Sequence, residues 1–369
     1  MKKLLFFINS LGGGGAEKVL VDLLNSLDSQ QYDIDLISVT GGIHENRLSK
    51  NINYNKIIKC KNGFLNKLFG RLFFHLPLNL IYRVIKKREY DVEIAYLEGF
   101  PTRVITAGKS NAKKVAFVHC DVSVHGVLDS FYKNYDECLS EYNRLDKVCF
   151  VSQLAKDGFE KTIGHVSNGM VLHNVIDFDG VKEKSKEKND CCYSTKGVRF
   201  IAVGRLSREK GYSRLIDIIG ELEKKYNFEL WLIGDGPEKE KIENKIKEKR
   251  ISSVKLLGFQ KNPYSFIKKA DFLVCPSYYE GYSTVVAETL SLGIPVITTD
   301  CAGMNELLDG EKYGIITENS LQGLKQGLVS VLEDCESLKR YKDACLAHSE
   351  DFSINDSVKQ YDELFTSIE

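Results

Sequence analysis

The most chemically loaded feature of the sequence is a pair of glutamates eight positions apart, in Glu280-Gly281-Tyr282-Ser283-Thr284-Val285-Val286-Ala287-Glu288. The apolar run Phe272-Leu273-Val274-Cys275 precedes it and Gly293-Ile294-Pro295-Val296-Ile297 follows. That order predicts strand, loop, short helix, glycine stop and next strand. A helix start offers unpaired N–H groups and the positive end of a dipole, so anions bind there. Carboxylates beside an anion site suit a ligand with both phosphate and hydroxyl groups, such as a nucleotide sugar. Two acids also invite a glycosidase mechanism, in which they flank one bond at ~5–10 Å. If both were helical, eight residues at ~1.5 Å each would separate them by ~12 Å, so they are expected to touch different parts of an elongated ligand. The simpler alternative is a surface helix whose acids face water, since acids favour helix starts anyway.

Other candidates sit where strands end. Val203-Gly204-Arg205-Leu206-Ser207-Arg208-Glu209-Lys210-Gly211 follows an apolar strand and delivers Arg205 and Lys210 to its carboxyl edge. A planar guanidinium and a mobile ammonium suit a pyrophosphate; a solvated, salt-bridged loop is the alternative. Gly12-Gly13-Gly14-Gly15 follows the first strand and opens a helix, allowing close backbone approach to an anion. It matches neither the dinucleotide fingerprint nor the Walker pattern. His119 ends Val115-Ala116-Phe117-Val118 and is placed to meet a sugar hydroxyl or a proton, or to pack at a strand terminus. No metal site is expected: Asp33-Ile34-Asp35 and Asp177-Phe178-Asp179 read as structural, and no HExxH or GxSxG is present.

The elements that must position these residues alternate strand with helix along all 369 residues, a length that points to two domains. Strands are expected at Leu4–Ile8, Ile34–Val39, Val92–Tyr96, Lys114–Val118, Lys147–Val151 and Met170–His173. A second series is expected at Val198–Val203, Glu229–Ile233, Ser253–Leu257, Phe272–Cys275, Pro295–Thr298 and Gly314–Ile316. Wholly apolar strands joined by helices predict parallel sheets buried on both faces. The charged run after Phe178, without periodic apolar positions, reads as a linker over 181–197 between domains 1–180 and 198–350. Two doubly wound domains in tandem would meet across a cleft between the carboxyl ends of their strands. Basic and acidic residues balance at 51 each, so no global charge drives the chain to nucleic acid. The ten cysteines lack CxxC spacing and fit buried thiols in a reducing cytoplasm. Cys191-Cys192 reads as exposed linker. Met1-Lys2-Lys3 before an apolar run reads as a first strand rather than a signal peptide.

Taken together, E-x7-E within P-S-x-x-E-G-Y, Gly204-Arg205-Leu206…Lys210-Gly211, Gly234-Asp235-Gly236-Pro237 and Gly-Gly-Ala-Glu-Lys-Val-Leu resemble a family 4 glycosyltransferase over nearly the whole chain. The resemblance implies the α/β GT-B fold and metal-independent, retaining transfer from a nucleotide sugar, with UDP the commonest carrier and no cofactor. It implies that Arg205 and Lys210 hold the donor diphosphate and stabilise its leaving charge, that Glu280 contacts the transferred sugar, and that Glu288 holds the ribose. Gly204, Gly234, Gly281, Tyr282, Ser283 and Thr284 would line the donor, with Gly13, Gly14, Gly15 and His119 completing the site. Family members often carry Gly or Pro where this chain has Ser283-Thr284. The last segment, about 351–369, is expected to pack back on the first domain. An epimerase or hydrolase on the same scaffold, or a non-catalytic nucleotide-sugar-binding protein, is the alternative.

One stretch bears on the acceptor. From Lys56 to Arg88 there are nine Lys or Arg and no acid, interleaved with large apolar residues such as Phe64, Leu65, Phe69, Phe73, Leu76 and Leu80. That pattern suits a segment lying on an anionic membrane surface, where a lipid-linked glycan would be met. Amphipathic core helices with a basic wet face are the alternative.

Overall fold

A computed structural model of the chain describes residues 1–59, 73–125, 130–188 and 197–368. The chain divides into two compact units, one of Met1–Ile176 with Ile354–Glu369 and one of Asp177–Ser353.

The first unit holds a seven-stranded sheet in the order β3-β2-β1-β4-β5-β6-β7, every pairing parallel. Its strands are β1 (Lys2–Ser10), β2 (Tyr32–Thr40), β3 (Asn53–Lys56), β4 (Val92–Ala95), β5 (Lys113–Val118), β6 (Lys147–Phe150) and β7 (Gly169–Val171). Leu4 to Ile8 are completely buried because the connecting helices cover both faces of β1. β3 was not foreseen: Asn53-Tyr54-Asn55-Lys56 has no apolar pattern, and only pairing with β2 makes it a strand. The helix Ile354–Ser367 belongs to this unit. Tyr361, Leu364 and Phe365 enter its core, and the Tyr361 hydroxyl donates to the His173 carbonyl at 3.2 Å.

The second unit holds a six-stranded parallel sheet in the order β10-β9-β8-β11-β12-β13. Its strands are β8 (Val198–Val203), β9 (Phe228–Ile233), β10 (Val254–Gly258), β11 (Phe272–Cys275), β12 (Val296–Thr299) and β13 (Gly314–Thr317). In each sheet the strand order reverses beside the first strand, between β1 and β4 and between β8 and β11. Such a switch point leaves a crevice beyond the strand ends where ligands bind. The Gly12–Gly15 loop leaves β1, and the Arg205–Lys210 and Pro276–Glu280 loops leave β8 and β11.

The linker reading needs correction. The charged run opens with a helix, Phe178–Ser185, whose N-cap Asp177 accepts from the Gly180 N–H at 2.8 Å. Its buried side chains, Phe178 and Val181, lie three residues apart, and the first stands upstream of the charged stretch. Residues 189–196, with Cys191 and Cys192, lie outside the described residues. Both DxD strings have structural partners: Asp177 caps this helix, while Asp33 and Asp35 pair with Arg88.

Candidate active site

The two loops at the second switch point meet through an ion pair. Lys210 Nζ lies 2.7 and 2.9 Å from the two Glu280 oxygens. Ser277 Oγ donates to Glu280 Oε1 at 2.7 Å, and the Tyr278 N–H donates to the Glu209 carbonyl at 2.8 Å. Burial alone would push the Lys210 ammonium down, but Glu280, with smaller help from Cys275 and Glu209, outweighs it and leaves the pKa above the ordinary lysine range. Burial likewise raises Glu209, yet the Ser207 hydroxyl bond, its own backbone N–H and the charges of Lys210 and Arg205 bring it below the usual carboxylate range. Arg205 is exposed, and its side chain makes no hydrogen bond or ion pair among the described residues. Arg208 is likewise exposed without a side-chain partner among the described residues, so the loop presents one neutralised cation, Lys210, and two open ones, Arg205 and Arg208.

Two glycines make this packing possible. Gly211 has φ +67, and a Cβ there would stand 1.9 Å from the Pro276 carbonyl oxygen. A Cβ on Gly234 would stand 1.9 Å from the Gly204 oxygen. The loops after β8, β9 and β11 thus touch backbone to backbone, a contact that only glycine allows.

The helix Thr284–Ser291 begins beyond Gly281 and Tyr282, with Ser283 as N-cap. Glu280 lies on the loop, so helical rise applies only from Thr284 to Glu288, and the ~12 Å separation of two helical glutamates does not describe this pair. Glu288 is 5% exposed. The Ser283 hydroxyl is buried with no hydrogen-bond partner among the described residues and does not cap its own helix.

In the first unit, Gly14 is the N-cap of the helix Gly15–Ser26. The Glu17 carboxylate folds back over it, so that a Cβ on Gly14 would lie 2.2 Å from Glu17 Oε2. An acid therefore already sits where the sequence suggested an anion, at the end of the helix where the dipole favours it. His119 follows β5, its N–H donating to Glu98 Oε2 at 2.9 Å. Its ring lies against Tyr96, centroids 4.8 Å apart, and both ring nitrogens are buried without a hydrogen-bond partner among the described residues. Burial holds its pKa down to about 4, against the upward pull of Glu98, so the imidazole is neutral at physiological pH.

Comparison with known proteins identifies the scaffold. The model for glycosyl transferases group 1 matches residues 183–345, and the model for Glycosyltransferase Family 4 matches residues 13–179. The chain belongs to glycosyltransferase family 4. A similar curated relative is N-acetylgalactosamine-N,N'-diacetylbacillosaminyl-diphospho-undecaprenol 4-alpha-N-acetylgalactosaminyltransferase of Campylobacter jejuni, 28% identical and aligned over 95% of this chain and 96% of its own. The amylovoran biosynthesis glycosyltransferase AmsD of Erwinia amylovora is 24% identical over 99% of both chains. Among solved structures, Anabaena HepE in complex with UDP-glucose superposes with a TM-score of 0.76 at 19% identity, covering all of both chains. The lipopolysaccharide glycosyltransferase WaaG gives 0.68 at 14%, covering 98% of this chain and 99% of its own. These likenesses establish the GT-B fold of two Rossmann-like sheets.

Within this family 4 glycosyltransferase, the fold brings Lys210 and Glu280 together with Ser277, which sequence reasoning did not single out. It also missed Arg214 and Asn319, which hold the β11 exit loop. Arg214 carried a faint signal in the sequence, a cation in the first turn of a helix, where the dipole disfavours it.

Proposed function

We propose that this glycosyltransferase moves a sugar from a UDP-sugar to a lipid-linked glycan, with retention at the anomeric carbon and without a metal. The observation that carries the reading is the charge arrangement at the second switch point: Lys210 held by Glu280, in the same loop as Arg205, whose side chain has no partner among the described residues. Breaking the sugar–phosphate bond leaves a diphosphate whose developing negative charge must be stabilised. Fixed cations in a partly water-excluded site do this without reorganising. Arg205 grips the diphosphate, Lys210 stabilises its leaving charge, and Glu280, anchored by Ser277, faces the sugar. Glu288 takes the ribose hydroxyls. Backbone N–H groups of Tyr282 to Thr284 face the phosphates. HepE was solved with UDP-glucose, and the Campylobacter relative is named for a diphospho-undecaprenol acceptor, which supports UDP and a lipid carrier here. The test is nucleotide release over a panel of UDP-, GDP- and ADP-sugars, with and without EDTA. Release confined to UDP-sugars and unaffected by EDTA is expected; strict Mg²⁺ or Mn²⁺ dependence refutes the metal-free step.

The acceptor side extends to an anionic membrane surface through residues 56–88. In support, Phe74, Leu76, Leu80 and Val84 are exposed beside exposed Arg83 and Lys87, on or near the helix Leu78–Ile85. Not all of the basic residues are available. Lys56 pairs with Glu45, Lys86 with Glu89, and Arg88 with Asp33 and Asp35. Lys61, Lys67 and Arg71 lie outside the described residues. No described helix is long and apolar enough to cross a membrane. Flotation with anionic but not neutral liposomes is expected, and equal failure to float with both refutes this surface.

A further inference from the structure

Arg214 lies in the first turn of the helix Tyr212–Leu222 and is 6% exposed. It makes no ion pair with a carboxylate among the described residues. Its guanidinium instead donates to three oxygens. Nε and Nη2 reach the Pro276 carbonyl at 3.1 and 2.8 Å, and Nη2 also reaches the Ser277 carbonyl and Asn319 Oδ1, both at 2.8 Å. The Tyr278 ring lies over it, 3.9 Å from the guanidinium carbon. Asn319 then turns its Nδ2 to the Tyr278 carbonyl at 2.7 Å. Three successive carbonyls, 276 to 278, are thus fixed by one side chain and its amide partner.

This arrangement is costly as a purely structural device. Amide oxygens accept from Nε and Nη2 but do not cancel the charge, and a buried charge without a counter-charge is unfavourable. A cation at a helix N-terminus also opposes the dipole. A neutral side chain could fill the space more cheaply, so the retained charge points to a role at the site. The clamped segment is the one that carries the catalytic loop: Ser277 Oγ holds Glu280 Oε1, and Glu280 holds Lys210. On the other side, Gly211 packs its Cα against the Pro276 carbonyl that Arg214 grips.

We propose that Arg214 is a positioning residue of the transfer reaction: its planar fork sets the Pro276–Tyr278 backbone, and through Ser277 sets the Glu280–Lys210 pair against the donor diphosphate. The inference rests on the donor reading given above. Ser277, Glu280 and Lys210 form a chain of short contacts, so freeing the backbone beneath them displaces the ammonium from the leaving phosphate. Displacements of ~1 Å at a reacting centre cost about 10²-fold in rate.

The test compares Arg214→Met and Arg214→Lys with the wild type, titrating UDP by calorimetry well below each melting temperature. Stoichiometry reports the folded fraction, and Kd reports the site. For both variants we expect unchanged stoichiometry, a UDP Kd weakened about tenfold, which is ~1.4 kcal/mol, and kcat/KM down about 10²-fold. Lysine keeps the charge but cannot make the fork, so a wild-type Kd and kcat/KM in Arg214→Lys overturns the proposal. So does reduced stoichiometry at unchanged Kd, which marks a merely structural residue. If Arg214→Met does not fold, Asn319→Ala loosens the same loop, and the same weakening of UDP is expected from it. In a Lys210→Ala background Arg214→Met should add no further loss, whereas additive losses overturn action through the pair. Failure of the wild type itself to bind UDP refutes the donor reading, while wild-type binding with undiminished variants refutes the Arg214 assignment alone.

Discussion

The carboxyl edges of the two sheets share a topology and differ in chemistry. At the second edge, loops from β8 and β11 are locked backbone to backbone by Gly211, and Lys210 pairs with Glu280, which Ser277 anchors. At the first edge, a glycine loop is covered by the flexible Glu17 side chain, and His119 is a neutral ring with two buried nitrogens that have no partner among the described residues. The same switch-point geometry thus yields a rigid, cation-bearing site in one unit and, in the other, an adaptable one whose charged groups are the carboxylates of Glu17 and Glu98 beside a neutral ring. A rigid, cation-bearing edge suits the diphosphate proposed for the donor.

The largest expected effect removes the charge of the second edge. Lys210→Ala should lower kcat by at least ~10²-fold, the loss seen when a donor to developing charge is deleted. Single-turnover measurement with saturating donor checks this, and wild-type turnover would remove Lys210 from the diphosphate.

The two edges should also titrate at opposite ends of the pH scale. Lys210 is raised in the folded state by Glu280, so stability from this pair is complete below the ordinary lysine pKa and is lost only as pH rises through the higher folded value. His119 is depressed from 6.5 to about 4 by burial. As pH falls below 6.5 the unfolded chain takes up a proton that the folded chain refuses, so stability drops by up to about 3 kcal/mol by pH 4. Urea melts of wild type and His119→Gln between pH 7 and 4 should converge or cross, and parallel curves would show that the ring is not held neutral.

The smallest effects compare glycines. Gly211→Ala sets a Cβ against a backbone carbonyl at positive φ and should cost more than about 1–2 kcal/mol. Gly14→Ala meets only the movable end of Glu17 and has φ −83, so it should change stability by less than about 1 kcal/mol. Equal melting-temperature losses would erase the contrast between the rigid and adaptable edges.

Much of this was legible because it is local. Apolar runs long enough for a strand but too short for a buried helix marked β1, β8, β9 and β11, while Gly204 and Gly234 directly after β8 and β9, and Gly12 and Glu280 a few residues beyond β1 and β11, marked the loops. The polar strand β3 was not legible, because its partner β2 rather than its own sequence makes it extended. Nor was the helix within the charged run, since its N-cap Asp177 and first buried residue Phe178 stand before that run begins.

The sequence by itself determined the alternation of strand and helix, the parallel sheets, the glycine turns and which cations and acids arrive at strand ends. Periodicity, conformational freedom and family pattern are carried by neighbouring residues. Only the tertiary structure decided that Lys210 pairs with Glu280 and that Arg214 clamps the backbone bearing it. Those partners are more than sixty positions apart and meet because β8 and β11 are adjacent in the sheet. The fold likewise assigned Asp33 and Asp35 to Arg88, some fifty positions away, so an apparent DxD became an ion-pair network at the amino edge. A charge in sequence specifies what a residue can offer; its neighbours in space decide whether that charge is spent within the fold or left for a ligand.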